Sequence, residues 1–259
     1  MRTLKNLFDF YIHSSLHVGL AVLCLVYVTN FSNDLCKHIV FPSCVFFGTV
    51  LGYNFLKYYD VFRKRQFYSM KYYGIIVVSL LSSIGFLFFF LWLKRSIQIP
   101  ILISGFFVLL YPFLRKYGWL KLFLVSFVVT FCTVYIPFIL NKPVLIDYYV
   151  SLAQRFFILS SLLIPFEIMD TKTDSETLNT LPQLFGIQKA KQFGYGFIVV
   201  FIFLEFLNFR IYNFLINAVI AIVTVLFIRF TSLEKDEYYT SFWVESVPIF
   251  WLGLLLLFQ

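Results

Sequence analysis

Four of the chain's 13 acidic residues lie within ten positions, at Glu167, Asp170, Asp174 and Glu176. In a helix, where side chains advance by about 100° per residue, the first three lie on one stripe. Carboxylates on one stripe repel each other unless a cation lies between them. Magnesium prefers oxygen ligands and is commonly held by one or two carboxylates together with the phosphates of a substrate. The spacing therefore suggests a magnesium site, although a solvated helix end would carry the same pattern.

The residues that follow the acids predict a short, ordered helix. Thr180 and Gln183 are spaced as a capping box, Pro182 suits a first helical turn, and Gly186 is placed to end the helix. We expect this segment to form a lid over the acidic residues.

The composition indicates that these elements belong to a membrane protein. Hydrophobic residues make up 61% of the chain and charged residues 13%, whereas soluble domains carry roughly 25% charged residues. Gly74 to Leu93 and Leu122 to Leu140 are uncharged and apolar on every side, which predicts membrane-spanning helices and disfavours an alternating barrel strand. The net charge of +8 is spread between the spans, so loop topology explains it better than nucleic-acid binding does.

Apolar segments recur along the whole sequence and predict an all-α integral membrane protein, a bundle of about nine transmembrane helices. We expect a single integral membrane domain over residues 1–259, because no linker interrupts the pattern. The predicted spans are Tyr11 to Phe31, His38 to Leu56, Gly74 to Leu93, Ile97 to Leu114, Leu122 to Leu140, Tyr148 to Phe166, Phe193 to Phe209, Ile211 to Ile228 and Tyr239 to Phe258.

The loop charges predict the orientation of the bundle. With the N-terminus in the cytoplasm, 15 lysines and arginines fall on the inner side and 5 on the outer side, as the positive-inside rule favours. The start of the chain lacks a small-residue cleavage signature, so we expect the first helix to remain as an anchor. We therefore expect a multi-pass protein of a bacterial cytoplasmic membrane, with the acidic cluster at the cytoplasmic face.

The stretch "FEIMDTKTDSETLNTLPQLFG" resembles the second aspartate-rich motif of the UbiA superfamily of intramembrane prenyltransferases. In that motif D-x-x-x-D is followed by Thr-Leu and then by a glycine. Asp170 and Asp174 match the aspartates, residues 180–181 match Thr-Leu, and Gly186 matches the glycine. Leu178 stands where a glycine is usual, and the spacing to Thr-Leu is about one residue shorter. The family has about nine membrane helices, in agreement with the count of apolar segments.

The first aspartate-rich motif of that family, roughly N-D-x-x-D-x-x-x-D, is degenerate here. It corresponds to "GYNFLKYYDVFRKRQ", in which Asn54 matches while Phe55, Tyr58 and Phe62 replace the carboxylates. Asp60 lies six residues after Asn54 and points about 240° around a continuous helix. Only a helix that breaks near Tyr58 would turn Asp60 towards the other motif.

The resemblance implies that magnesium holds the diphosphate of a prenyl donor while the chain is transferred to an aromatic or other acceptor. It implies metal binding and catalysis by Asp170 and Asp174, with Glu167 supporting the metal. Cations near the first motif would neutralise phosphates in place of a second metal ion. The substrate-binding residues expected on this basis are Asn54, Lys57, Asp60, Arg63 and Lys172.

Two other functions remain open from the sequence. The loss of the first motif is compatible with a non-catalytic relative that binds an isoprenoid or a lipid phosphate. A transporter is less favoured, because transporters place coupling charges near the midplane and the acidic cluster follows a span. Arg155, Glu205 and Glu245 lie within predicted spans, and we expect Arg155 to form a structural ion pair with one of the two glutamates.

Overall fold

The structure is a computed structural model that describes residues 2–36, 38–63, 70–114, 117–141, 145–174, 178–207 and 211–258. These residues are almost entirely helical and contain no β-strand. The predicted all-α membrane fold is therefore confirmed. The helices are α1 Arg2–His13, α2 Leu16–Ser32, α3 Val40–Arg63, α4 Met70–Leu91, α5 Arg95–Leu114, α6 Gly118–Thr130, α7 Ile136–Asn141, α8 Leu145–Asp170, α9 Leu181–Phe185, α10 Ile187–Glu205, α11 Ile211–Phe230 and α12 Val247–Phe258.

Two π-helical segments complete the bundle. Phe131–Tyr135 joins α6 to α7, so that the helix continues from Gly118 to Asn141, and Tyr239–Val244 precedes α12. The predicted spans Leu122 to Leu140 and Tyr239 to Phe258 thus each correspond to one helix with a locally widened turn.

Among the described residues, seven helices are long and apolar enough to cross a membrane, and eight if the bent pair α1–α2 counts as one span. The predicted count of about nine is not confirmed. The difference lies in the second predicted span, which corresponds to α3. This helix has 24 residues and is not among the candidate spans; its second half carries the polar residues Asn54, Lys57 and Asp60.

The helices pack around α8, whose buried isoleucines form the centre of the larger core. Ile158, Ile164 and Ile168 belong to one core cluster with apolar residues of α10, α11 and α12. A second cluster joins α2 and α3 to α5 and α7. The outer surfaces of α4 and α5 are apolar and exposed, as expected for helices that face lipid.

The first span is bent by 59° between α1 and α2, and two residues of α3 brace this bend. Ser15 lies at the break with φ of 62°, a conformation that non-glycine residues adopt only at a cost. Tyr58 donates a hydrogen bond to the carbonyl of His13 at 2.8 Å, and Asn54 donates one to the carbonyl of Ser14 at 3.1 Å. These bonds tie two successive backbone carbonyls at the bend to α3.

Arg155 does not form the expected ion pair with Glu205 or Glu245 within the described part of the chain. Its guanidinium donates to the Leu25 carbonyl at 2.9 Å and to the Thr29 hydroxyl at 3.1 Å, and it lies over the Trp251 ring. Glu205 instead accepts hydrogen bonds from side-chain amides, at 2.5 Å from Gln154 and 2.7 Å from Asn217. Carbonyl, hydroxyl and aromatic groups thus replace a counter-ion around Arg155.

The brace on the α1–α2 bend predicts the effect of one substitution. Tyr58→Phe should lower the free energy of unfolding by about 1 kcal/mol, because the partly buried hydrogen bond from the phenol to the His13 carbonyl would be lost. Thermal unfolding in detergent would measure the change. Tyr59→Phe is the control, since the neighbouring phenol makes no hydrogen bond to the described residues. Equal stability of the two variants would contradict the brace.

Candidate functional site

The acidic cluster lies where α8 ends. Glu167 and Asp170 are in the last turn of the helix, three residues apart and therefore on one face. The amide of Asp174 donates to the carbonyl of Asp170 at 2.8 Å, so one further turn follows and brings Asp174 back over the same face. The side chains of Glu167 and Asp174 are each only 3% exposed, whereas that of Asp170 is 44% exposed.

The cation between these carboxylates is Lys121 of α6. Its Nζ atom lies 2.9 Å from Asp170 Oδ2, 3.1 Å from Glu167 Oε1 and 3.6 Å from Asp174 Oδ2. The lysine side chain is 13% exposed, so the ammonium is largely removed from water. The predicted grouping of the three acids is therefore present, and an ammonium lies at the position where we expected a metal ion.

The predicted short helix is present as α9. The amide of Thr180 donates to Gln183 Oε1 at 3.1 Å, Pro182 lies in the first turn, and Gly186, with φ of 83°, ends the helix. Leu181 and Pro182 are buried, so the helix is anchored on the bundle by its first turn.

Gly118, the first residue of α6, fixes the segment that leads into α9. A Cβ atom at this position would lie 2.1 Å from the Leu178 carbonyl oxygen and 2.7 Å from the Thr180 nitrogen. Only a glycine permits this approach. Because Lys121 follows Gly118 by one turn, the same stretch of α6 supplies the central cation and contacts the segment that leads into α9. The expected cover of the acidic residues by α9 stays a prediction.

The residues of the degenerate first motif serve mainly to hold helices together. The Asn54 side chain is buried and forms hydrogen bonds with Ser14, Ser15 and Ser79, and Tyr58 binds His13 as described above. Helix α3 continues without a break past Tyr58 to Arg63. The break that would have redirected Asp60 is therefore absent from the backbone.

The other predicted substrate-binding residues are only partly described. Lys57 is exposed, with its Nζ atom 5.8 Å from the centre of the Tyr58 ring, and Lys172 is exposed in the turn after α8. The side chains of Asp60 and Arg63 lie outside the described part of the structure, as does Glu176.

Tyr53 joins α3 to Glu245, which lies just before α12. Its hydroxyl donates to Glu245 Oε1 at 3.5 Å, and the phenol is within electrostatic range of Asp170 and Tyr111. Lys121 is also within range of Tyr111. A polar region thus extends from the acidic cluster towards α3 and the start of α12.

The charges of the cluster bear on whether magnesium fits. Among the described residues, no group of three carboxylate, histidine or cysteine side chains is already arranged as a metal site. Three carboxylates around one ammonium nevertheless leave two formal negative charges, the charge that one divalent cation neutralises. The Oε2 atom of Glu167 is buried and has no hydrogen-bond partner among the described residues. The donor set therefore fits one magnesium ion once Lys121 moves aside.

Comparison with solved structures identifies the fold. A UbiA homologue from Aeropyrum pernix K1 superposes with a TM-score of 0.69, over 93% of this chain and 97% of that chain, at 14% sequence identity. The chain has the UbiA fold. A UbiA homologue from Archaeoglobus fulgidus bound to GPP and Mg²⁺ gives a TM-score of 0.66 over 96% of this chain and 98% of that chain, at 12% identity.

A third similar structure is that of a digeranylgeranylglyceryl phosphate synthase, with a TM-score of 0.61 over 99% of this chain and 97% of that chain, at 17% identity. No protein-family model and no curated protein matches the sequence. The resemblance to the UbiA superfamily noted in the sequence is thus supported by the whole architecture.

Lys121 is the residue of this UbiA-fold site that the sequence did not reveal. Its position just before the predicted span from Leu122 suggested an ordinary loop cation. The sequence did indicate that the acidic stripe requires a positively charged partner. The structure shows that Lys121 can be this partner because it lies within α6, one turn after the helix begins. A cation inside a span, unlike one in a loop, needs a charged or polar partner.

We expect Lys121→Met to lower the free energy of unfolding by about 3 kcal/mol, because three carboxylates would be left without their shared cation. Added Mg²⁺ should then raise the melting temperature of this variant more than that of the wild type. Thermal unfolding with and without Mg²⁺ measures both effects. Lys172→Met, at an exposed lysine beside the cluster, is the control, and wild-type stability of Lys121→Met would refute the ion cluster.

Gly118→Ala should displace the segment 178–180 and lower the free energy of unfolding by about 1 to 3 kcal/mol, since the new methyl group would overlap backbone atoms. Limited proteolysis should then cut more readily next to α9. Gly105→Ala is the matched control, because a Cβ atom there meets nothing within 4 Å. If the two variants were equally resistant, α9 would not be seated on Gly118.

Proposed function

We propose that the chain is an intramembrane prenyltransferase that moves a polyprenyl chain from its diphosphate to an acceptor held in the membrane. The observation that carries the proposal is the convergence of Glu167, Asp170 and Asp174 on Lys121 at one end of a UbiA fold. A UbiA homologue of the same fold is bound to GPP and Mg²⁺. The cluster supplies acidic and basic groups suited to a cation and to a diphosphate.

In this proposal Asp170 and Asp174 bind one Mg²⁺ ion and Glu167 supports it. Magnesium would neutralise the phosphate charge and so stabilise diphosphate as a leaving group. Lys121, displaced from the carboxylates, would donate hydrogen bonds to a phosphate oxygen. The ammonium thus keeps the carboxylates together before the substrate binds and compensates phosphate charge afterwards.

The residues around the cluster have supporting roles. Lys57, Arg63 and Lys172 would attract the diphosphate in place of a second metal ion. Asn54 acts as a positioning residue, because both of its amide N–H groups and its carbonyl are already hydrogen bonded to serines. We retain Asp60 as a candidate for binding substrate.

The reaction breaks the bond between the allylic carbon and the diphosphate oxygen, and both electrons leave with the diphosphate. The acceptor atom then bonds to the allylic carbon and loses a proton. An aromatic or other acceptor with a polar group would bind near Tyr53 and Glu245, which are joined by a hydrogen bond of 3.5 Å. The allylic carbon would have to lie on the apolar side of the cluster, where less water is present to capture the carbocation.

We place the protein in the cytoplasmic membrane of a bacterium, with the N-terminus and the acidic cluster at the cytoplasmic face. The distribution of lysines and arginines, 15 on one side and 5 on the other, supports this orientation. The diphosphate would then be bound from the cytoplasmic side, while its chain lies in the bilayer.

A non-catalytic protein that binds an isoprenoid diphosphate or another lipid phosphate is the second candidate. The observation in its favour is that Asn54 and Tyr58 of the first motif are used to brace the α1–α2 bend, so this part of α3 supports the fold. A transporter is less favoured, because the charged cluster lies at the end of α8 rather than near its middle.

The double substitution Asp170→Asn and Asp174→Asn should lower turnover by about a hundredfold or more, since the groups that compensate the developing diphosphate charge would be lost. Transfer of radiolabel from a prenyl diphosphate, with and without Mg²⁺, measures this in membranes. Asp147→Asn, at the opposite end of α8, is the control. Turnover that survives the double substitution would exclude the proposed enzyme. If the wild-type protein binds the prenyl diphosphate but does not transfer the prenyl chain, the non-catalytic alternative is favoured.

A further inference from the structure

A groove on the outside of the bundle, between α8 and α10, is separate from the acidic cluster. It has a volume of about 530 Å³, within the range of roughly 300 to 1,000 Å³ that is typical of ligand sites. Among the described residues that line it, Lys189 is the only charged one. The lining residues are Phe157, Lys189, Gln192, Phe193, Gly196, Phe197 and Val200.

Two glycines of α10 explain why the groove is there. A Cβ atom on Gly194 would lie 2.8 Å from Ile228 and 3.2 Å from Ile164, so on this side α10 packs closely against its neighbours. A Cβ atom on Gly196 would meet nothing within 4 Å. The second glycine therefore leaves a concave surface that faces the lipid. The rings of Phe157 and Phe197, both lining residues, lie with their centroids 6.0 Å apart.

The dimensions of the groove match one lipid chain in one leaflet. From Lys189 to Val200 the helix rises by about 16 Å at 1.5 Å per residue, and half of a hydrocarbon core is about 15 Å. Lys189 lies in the first turn of α10, at the same end of the bundle as the acidic cluster, and the apolar rings extend from there towards the membrane centre.

The positive charge of Lys189, at the end of the groove where α10 begins, indicates which lipid headgroup would bind. Lys189 is exposed, and the amides of the first turn of α10 add the partial positive charge of a helix N-terminus. A zwitterionic headgroup would gain little from this pair, whereas an anionic phosphate without a neighbouring amine would be attracted.

We propose that this groove binds an anionic phospholipid, with the headgroup phosphate at Lys189 and one acyl chain along Phe193, Gly196 and Phe197. The site is separate from the substrate site and does not depend on the proposed transferase activity. The ring of Phe193 also contacts Phe185 of α9, with the ring centroids 5.5 Å apart. A bound lipid would therefore border α9.

Native mass spectrometry of the whole protein, released from micelles that contain phosphatidylglycerol or phosphatidylcholine, tests the proposal. The wild type should retain phosphatidylglycerol in preference. Lys189→Gln should lower this preference by about fivefold, the contribution of one lysine near an anionic lipid. Gly196→Leu, which fills the groove, should lower retention of both lipids several-fold.

Two matched variants and one charge reversal complete the design. Lys5→Gln removes an exposed lysine of α1, and Gly105→Leu adds the same side chain at an open glycine of α5. Both should retain lipid like the wild type. Lys189→Glu should abolish the preference for phosphatidylglycerol, and it keeps the test valid if Gly196→Leu does not fold, as thermal unfolding would show.

The proposal fails if the wild type retains the two lipids equally. It fails if Lys189→Gln and Lys189→Glu keep the preference for phosphatidylglycerol. It also fails if a folded Gly196→Leu variant retains as much lipid as Gly105→Leu does. It also fails if the delipidated protein appears as a dimer that Gly196→Leu dissociates, since a second copy of the chain would then cover the groove.

Discussion

The contact between Lys121 and three carboxylates is the interaction on which the functional end of the bundle depends. Without the ammonium, Glu167, Asp170 and Asp174 would carry three like charges in a place where two of the side chains are only 3% exposed. With it, the last turn of α8 remains in register with α6. The cluster therefore stabilises the fold and leaves a negative charge that a divalent cation can neutralise.

The two motif regions have diverged in opposite directions. The acids of the second region are grouped around Lys121, whereas Asn54 and Tyr58 of the first region form contacts between helices. Asn54 and Tyr58, one turn apart, satisfy successive carbonyls at the bend of the first span. The proposed site would therefore hold one metal ion, because the described polar side chains of α3 near Asn54 bind other helices.

Local patterns in the sequence predicted much of this arrangement. The stripe of acids and the α9 helix from Thr180 to Gly186 depend on residues within a few positions of each other, and both are present in the structure. The role of Lys121 could not be predicted, because its partners belong to a distant part of the chain. Asp170, for example, follows Lys121 by 49 residues. The failure of Arg155 to pair with a glutamate has the same origin, since its partners on α2 are determined by packing.

The separation of Lys121 from its partners along the chain also affects how the protein enters the membrane. Helix α6 is synthesised first, so its ammonium reaches the bilayer boundary before any of the three carboxylates has left the ribosome. Until α8 follows, that end of α6 is stable only near water or lipid headgroups. The cluster can therefore hold α6 and α8 together only after both helices are inserted. Their association must follow the insertion of α8.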